Sequence, residues 1–169
     1  MSHIESPWTR LASRTARALL TRKGATYEDA VIALRSIGVR DSPKSLELRV
    51  QRGSLKFSSF LQLLCALHAD LPCEFQRVVE ERDSWESACQ RLVLDLLTQN
   101  AISLDELARR LDESGIHINT TQVQSLVSKG SFSLAFLLQV GYVLPIRALE
   151  RYVDLSDIAK AASESVLTP

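Results

Sequence analysis

Apolar residues return every three or four positions along almost the whole chain, and strand-like alternation is absent. Trp8, Leu11, Ala12, Thr15, Leu19 and Leu20 form one helical stripe, with Arg10, Arg14 and Arg17 on the opposite face. A second helix starts at Thr26-Tyr-Glu-Asp29, a weak capping box, and buries Tyr27, Ala30, Val31 and Leu34. Gly38 follows where a left-handed helix end is wanted. Ser42-Pro43 then supplies an N-cap and a first-turn proline for a short third helix, which turns Leu46 and Val50 inward and stops at Gly53. A fourth helix buries Phe57, Phe60, Leu61, Leu64 and Leu67, and Pro72 opens a fifth.

The same order then recurs. With residues 8–68 laid on 85–145 at a constant offset of 77, thirteen positions are identical without a gap, among them Trp8/Trp85, Arg14/Arg91, Gly38/Gly115 and Gly53/Gly130. Ser103-Leu-Asp-Glu106 is the better capping box of the pair, Asn119-Thr120 replaces Ser42-Pro43, and Pro145 stands where the fifth helix should open. The offset is too long for a solenoid repeat of ~20–50 residues, so the pattern predicts two copies of one small domain. The expected fold is all-α: two tandem five-helix, helix-turn-helix-containing domains, at 1–82 and 83–169, the second with a C-terminal tail. Residues 73–99 are expected to run almost continuously, with a break near Asp83-Ser84.

Charge separates copies that their patterns equate. The chain is formally neutral, but residues 1–70 hold eleven Lys/Arg against six Asp/Glu, and residues 71–169 hold nine against fourteen. A basic first half predicts an anionic partner. No apolar run approaches the ~18 residues that would suggest a membrane span, and the start, MSHIESPWTR, lacks the apolar core of a secretion signal. Three cysteines, Cys65, Cys73 and Cys89, in apolar helical surroundings suit reduced thiols, so a cytoplasmic location is expected.

Little in the sequence supports catalysis. His3, His68 and His117 have no nucleophile beside them, and no glycine-rich phosphate loop is present. Cys65-x-x-His68 with Cys73 falls short of the four ligands a structural zinc wants. Neither a cofactor, a metal nor a small-molecule substrate is expected.

The stretch TYEDAVIALRSIGV followed by SPKSLELRVQRGSLKFSSFLQLLCAL resembles the helix-turn-helix of the phage-repressor (Cro/cI-like) class, and SLDELARRLDESGI with NTTQVQSLVSKGSFSLAFLLQVGYVL repeats it. The Lys-Gly-x-Phe-x-x-x-Phe-Leu tail of copy two, Lys129 to Leu137, with Arg52-Gly53 in its place in copy one, also resembles an uncharacterised bacterial domain family with a repressor-like signature. The link between the two helices is longer than in ordinary members. The resemblance implies a regulator of bacterial, phage or plasmid origin that binds double-stranded DNA, represses by occupying a promoter and performs no chemistry.

On that reading the third helix of copy one offers Lys44, Ser45, Leu48, Arg49 and Arg52 to a major groove, where arginine and lysine pair with guanine acceptors. Arg10, Arg14, Arg17 and Lys56 would neutralise phosphates. Copy two offers Thr121, Gln122, Gln124 and Lys129, with only that one cation, so its hold on phosphates should be weak. It also carries leucine (Leu94) where copy one has Arg17. Val93, Leu94, Ile146, Leu149 and Tyr152 are therefore expected to form the face of a homodimer, which would bring two basic first copies onto one duplex. The rival expectation is a protein-interaction adaptor or inhibitor that keeps the fold without binding DNA.

Overall fold

The computed structural model describes residues 5–167, and among them the chain is all-helical. Copy one contributes α1 (Pro7–Arg22), α2 (Tyr27–Ser36), α3 (Pro43–Arg52), α4 (Phe57–Ala66) and α5 (Cys73–Glu80). Copy two contributes α6 (Trp85–Gln99), α7 (Leu104–Glu113), α8 (Thr120–Lys129) and α9 (Leu134–Val143). Its fifth element is only a 3-10 turn, Arg147–Arg151, and the expected tail is a sixth element, α10 (Leu155–Leu167).

Local chemistry explains the boundaries. Ser6 and Ser84 cap α1 and α6 through reciprocal bonds with Thr9 and Ser87. The box judged weak is the complete one: Asp29 N–H donates to Thr26 Oγ1 (3.1 Å) and Thr26 N–H donates to Asp29 Oδ2 (3.0 Å). Ser103 accepts from the Glu106 N–H, but the Glu106 carboxylate turns to Arg109 and Arg110, whose donors hold it down to about 2. The backbone repeats even where the side chain does not. Gly24 takes φ +60°, and Ala101, at the equivalent position, takes +53°.

The two copies embrace each other. α1 packs on α9 of the other copy, and α6 packs on α4; α4 and α9 meet between them. At that meeting the Phe57 N–H donates to the Phe132 carbonyl (3.0 Å), and the Leu134 N–H donates to the Leu55 carbonyl (2.9 Å). These bonds exchange under the offset of 77, so a pseudo-two-fold axis passes between Lys56 and Ser133, which face each other in an isolated antiparallel bridge. The reciprocity is that of an isologous dimer, here within one chain. Phe57 and Phe132 stack beside the axis (centroids 6.0 Å apart), and the buried apolar residues of both copies form one continuous core.

This arrangement corrects the expected dimer face. Val93, Ile146, Leu149 and Tyr152 are all buried within the chain. Tyr152 lies edge-on to Phe60 (5.6 Å) and donates its hydroxyl to the Asp70 carbonyl (2.9 Å), both from copy one. The apolar surface that suggested an outside partner is buried inside the chain, Tyr152 against the other copy and Ile146 and Leu149 beside Gly141 of their own. Leu94 alone of the five stays exposed.

Symmetry fails at the last element. α10 lies against α1 and α9 and buries Ile158, Ala161 and Ala162. Copy one has no such helix: the link 81–84 leads straight from α5 to α6, though its Glu81 approaches Arg91 (3.7 Å) as Asp157 approaches Arg14 (4.0 Å). The two tryptophans differ accordingly. Trp8 is buried beside Tyr142, whereas Trp85 is half-buried under the Arg82 guanidinium, 4.0 Å from the ring centre.

Burial also ranks the thiols. Cys73 is exposed; desolvation raises the thiol of half-buried Cys65, and burial pushes that of Cys89 up to about 12. A chromogenic thiol reagent should modify Cys73 quickly, Cys65 slowly and Cys89 only after denaturation. Immediate reaction of all three would contradict the packing of α6.

Candidate nucleic-acid interface

α3 and α8 both run toward the pseudo-two-fold axis. Each ends in a left-handed glycine, Gly53 (φ +66°) or Gly130 (φ +61°), three residues before the chain reaches the axial bridge. These glycines also let the end of one helix touch the start of another. A Cβ on Gly53 would stand 1.9 Å from the Thr9 carbonyl oxygen of α1, and one on Gly130 would stand 1.9 Å from that of Glu86 in α6.

The exposed side chains around this axis are mostly cationic or neutral. Segments 42–56 and 119–133 together hold five Lys/Arg and a single carboxylate, Glu47, in a chain that is neutral overall. Lys44, Ser45, Leu48, Arg52 and Lys56 are exposed on the copy-one side, and Thr121, Gln122, Gln124 and Lys129 on the copy-two side.

Two of the expected readers are engaged elsewhere. Arg49 is half-buried: its guanidinium is held by Asp41 in an ion pair and reaches Ser59 Oγ (3.5 Å). It therefore ties the connector before α3 to α4. Gln122 completes the α8 capping box, accepting from the Asn119 N–H at 3.0 Å, so its amide oxygen is already used.

The first-helix arginines do not act together. Arg10 and Arg14 face α10, where Glu164 (3.8 Å) and Asp157 (4.0 Å) partner them. Arg17 lies on the side of α2, close enough to lower the Tyr27 hydroxyl, which burial and Glu47 raise. Arg40, an exposed cation in the connector, was not singled out from the sequence, because a lone arginine between a glycine and an N-cap carries no periodic signal.

The connectors are long. Residues 37–42 separate α2 from α3, and 114–119 separate α7 from α8, against the 3–4 residues of the usual helix-turn-helix. α2 nevertheless packs on α3, and α7 on α8, so each pair remains a unit. His68 does structural work: it takes φ +53° at the end of α4, and its carbonyl accepts from Lys23 Nζ (3.0 Å). His3 lies outside the described residues. Among those described, no helix is long and apolar enough to cross a membrane.

No curated protein and no solved structure matches the chain. A family model does, twice: Domain of unknown function (DUF6471) matches residues 8–71 and again 85–149, leaving α10 beyond both matches. These segments correspond to the two structural repeats and cover most of the sequence, so the chain belongs to the DUF6471 family, as a tandem pair of its domains.

Proposed function

We propose that the protein binds double-stranded DNA as a single chain, presenting α3 and α8 on either side of its internal two-fold axis, and that it regulates transcription by occupying its site. The observation that carries this reading is the basic axial face. Arg52, Lys56 and Lys129 stand exposed around a pseudo-dyad, the symmetry with which dimeric helix-turn-helix proteins meet duplex half-sites. The resemblance to phage repressors supports it at the level of sequence grammar. Copy one supplies most of the positive charge, so its half anchors the duplex, and α8, with Lys129 as its one cation, contributes Thr121 and Gln124 contacts.

Retention on random-sequence duplex at low salt, with loss as salt rises, is the test. Replacing Arg52, Lys56 and Lys129 together by alanine should weaken binding about 10- to 100-fold. Each lost phosphate contact should reduce the slope of log K against log salt by about 0.9. A triple variant that binds like the parent would remove the axial face from consideration. Arg49→Ala should instead loosen the α3 connector, and its effect should appear in thermal stability as well as in binding.

The second reading, a protein-binding adaptor, is favoured by one observation: Ile32 on α2 (65% exposed) and Leu48 on α3 (39%) leave apolar side chains on the outside of the same helix pair. Complete absence of salt-dependent duplex binding would favour it.

A further inference from the structure

We propose that α10 is a built-in competitor for the duplex, holding Arg10 and Arg14 of α1 away from phosphate contacts; this rests on the DNA-binding reading above. Three features of the helix point to that role. It follows both family matches and has no counterpart in copy one, where the chain passes directly from α5 through four residues into α6. Its polar side carries Asp157 and Glu164 two turns apart, and they pair with Arg14 and Arg10, the two cations of α1 that run along its seat, while Lys160 between them also pairs with Glu164 (3.9 Å). Its seat is modest, since Ile158, Ala161 and Ala162 are the buried residues and two of these are alanines.

α10 packs on α1 and α9. The C-terminal turn reaches further, to the second copy: Val166 Cγ2 would lie 3.1 Å from a Cβ on Gly115, at the connector leading to α8. The equivalent Gly38 in copy one has open space around it. α10 therefore touches the connector of the acidic copy while neutralising cations of the basic one. Both pairs are long and solvent-exposed, with side chains about half accessible, so phosphates can compete for the same guanidinium groups.

The experiment measures binding of the full chain to random-sequence duplex across a salt series. The Asp157→Asn/Glu164→Gln variant should bind about 3- to 10-fold more tightly than the parent, with the log K–log salt slope steeper by about 1 to 2 as the two arginines gain phosphates. Adding Arg10→Ala/Arg14→Ala to that variant should cancel the gain. A control that removes two exposed carboxylates elsewhere, Glu74→Gln/Asp83→Asn, separates this effect from the general loss of negative charge. An unchanged slope, a gain that survives loss of the arginines, or a gain matched by the control overturns the competitor role while leaving DNA binding intact. If neither parent nor variants bind duplex at all, the DNA reading fails, and this proposal with it.

Discussion

Gly53→Ala should destabilise the chain by about 4 kcal/mol or more, placing it in the rare severe class of single substitutions. Two effects add. The residue sits at φ +66°, where an L side chain costs roughly 1–2 kcal/mol. The new Cβ would also meet the carbonyl oxygen, carbon and Cα of Thr9 at 1.9, 2.5 and 2.7 Å, all backbone atoms that cannot swing aside. To make room, α1 would have to leave α3, and the buried faces of both helices would open. Gly38→Ala is the internal comparison. Its φ of +81° carries the same kind of backbone cost, but nothing lies within 4 Å, so it should lose only about 1–2 kcal/mol. Chemical denaturation followed by circular dichroism distinguishes them, and equal midpoints for the two variants would contradict the α1–α3 contact.

Residues 1–82 expressed alone should not yield a folded monomer. The fragment retains α4 but loses α6 and α9, which pack on it, and strips Phe57 and Phe60 (both fully buried in the intact chain) of their partners Phe132 and Tyr152. Burying one such side chain is worth about 1.5–3 kcal/mol, and losing several exceeds what a domain this small has in reserve. The fragment should fold only by pairing with a second fragment, Leu55–Phe57 against Leu55–Phe57, whereas the intact chain should sediment as a monomer. A monomeric fragment with native helix content would refute the shared core.

The sequence reading and the structure part company at identifiable places. Helical stripes were legible because a 3.6-residue period reports burial directly: Trp8, Leu11, Ala12, Leu19 and Leu20 are all buried. Periodicity cannot say what does the burying. Val93, Ile146, Leu149 and Tyr152 were recognised as surface in need of a cover, and the cover lies within the same chain. A repeat in sequence does not distinguish two beads on a string from two halves of one core. α10 escaped notice because two of its buried positions are alanine, whose contrast with polar neighbours is weak, and because nothing in the first copy prefigures it. At the candidate interface the outward register of α3 was readable. The clamp on Arg49 was not, since it depends on a six-residue connector folding Asp41 back onto the helix.

The pseudo-dyad between Lys56 and Ser133 has a consequence for dose. A repressor assembled from two separate chains is lost by dissociation when dilute, so its active form falls roughly with the square of the chain concentration below its dimerisation constant. Here the partner is covalently supplied, and the fraction of paired material is independent of concentration. On the DNA-binding reading proposed above, the number of binding-competent molecules therefore follows the number of chains linearly. The same tether frees the two halves to accumulate different residues, because each need fit only the other and never a replica of itself.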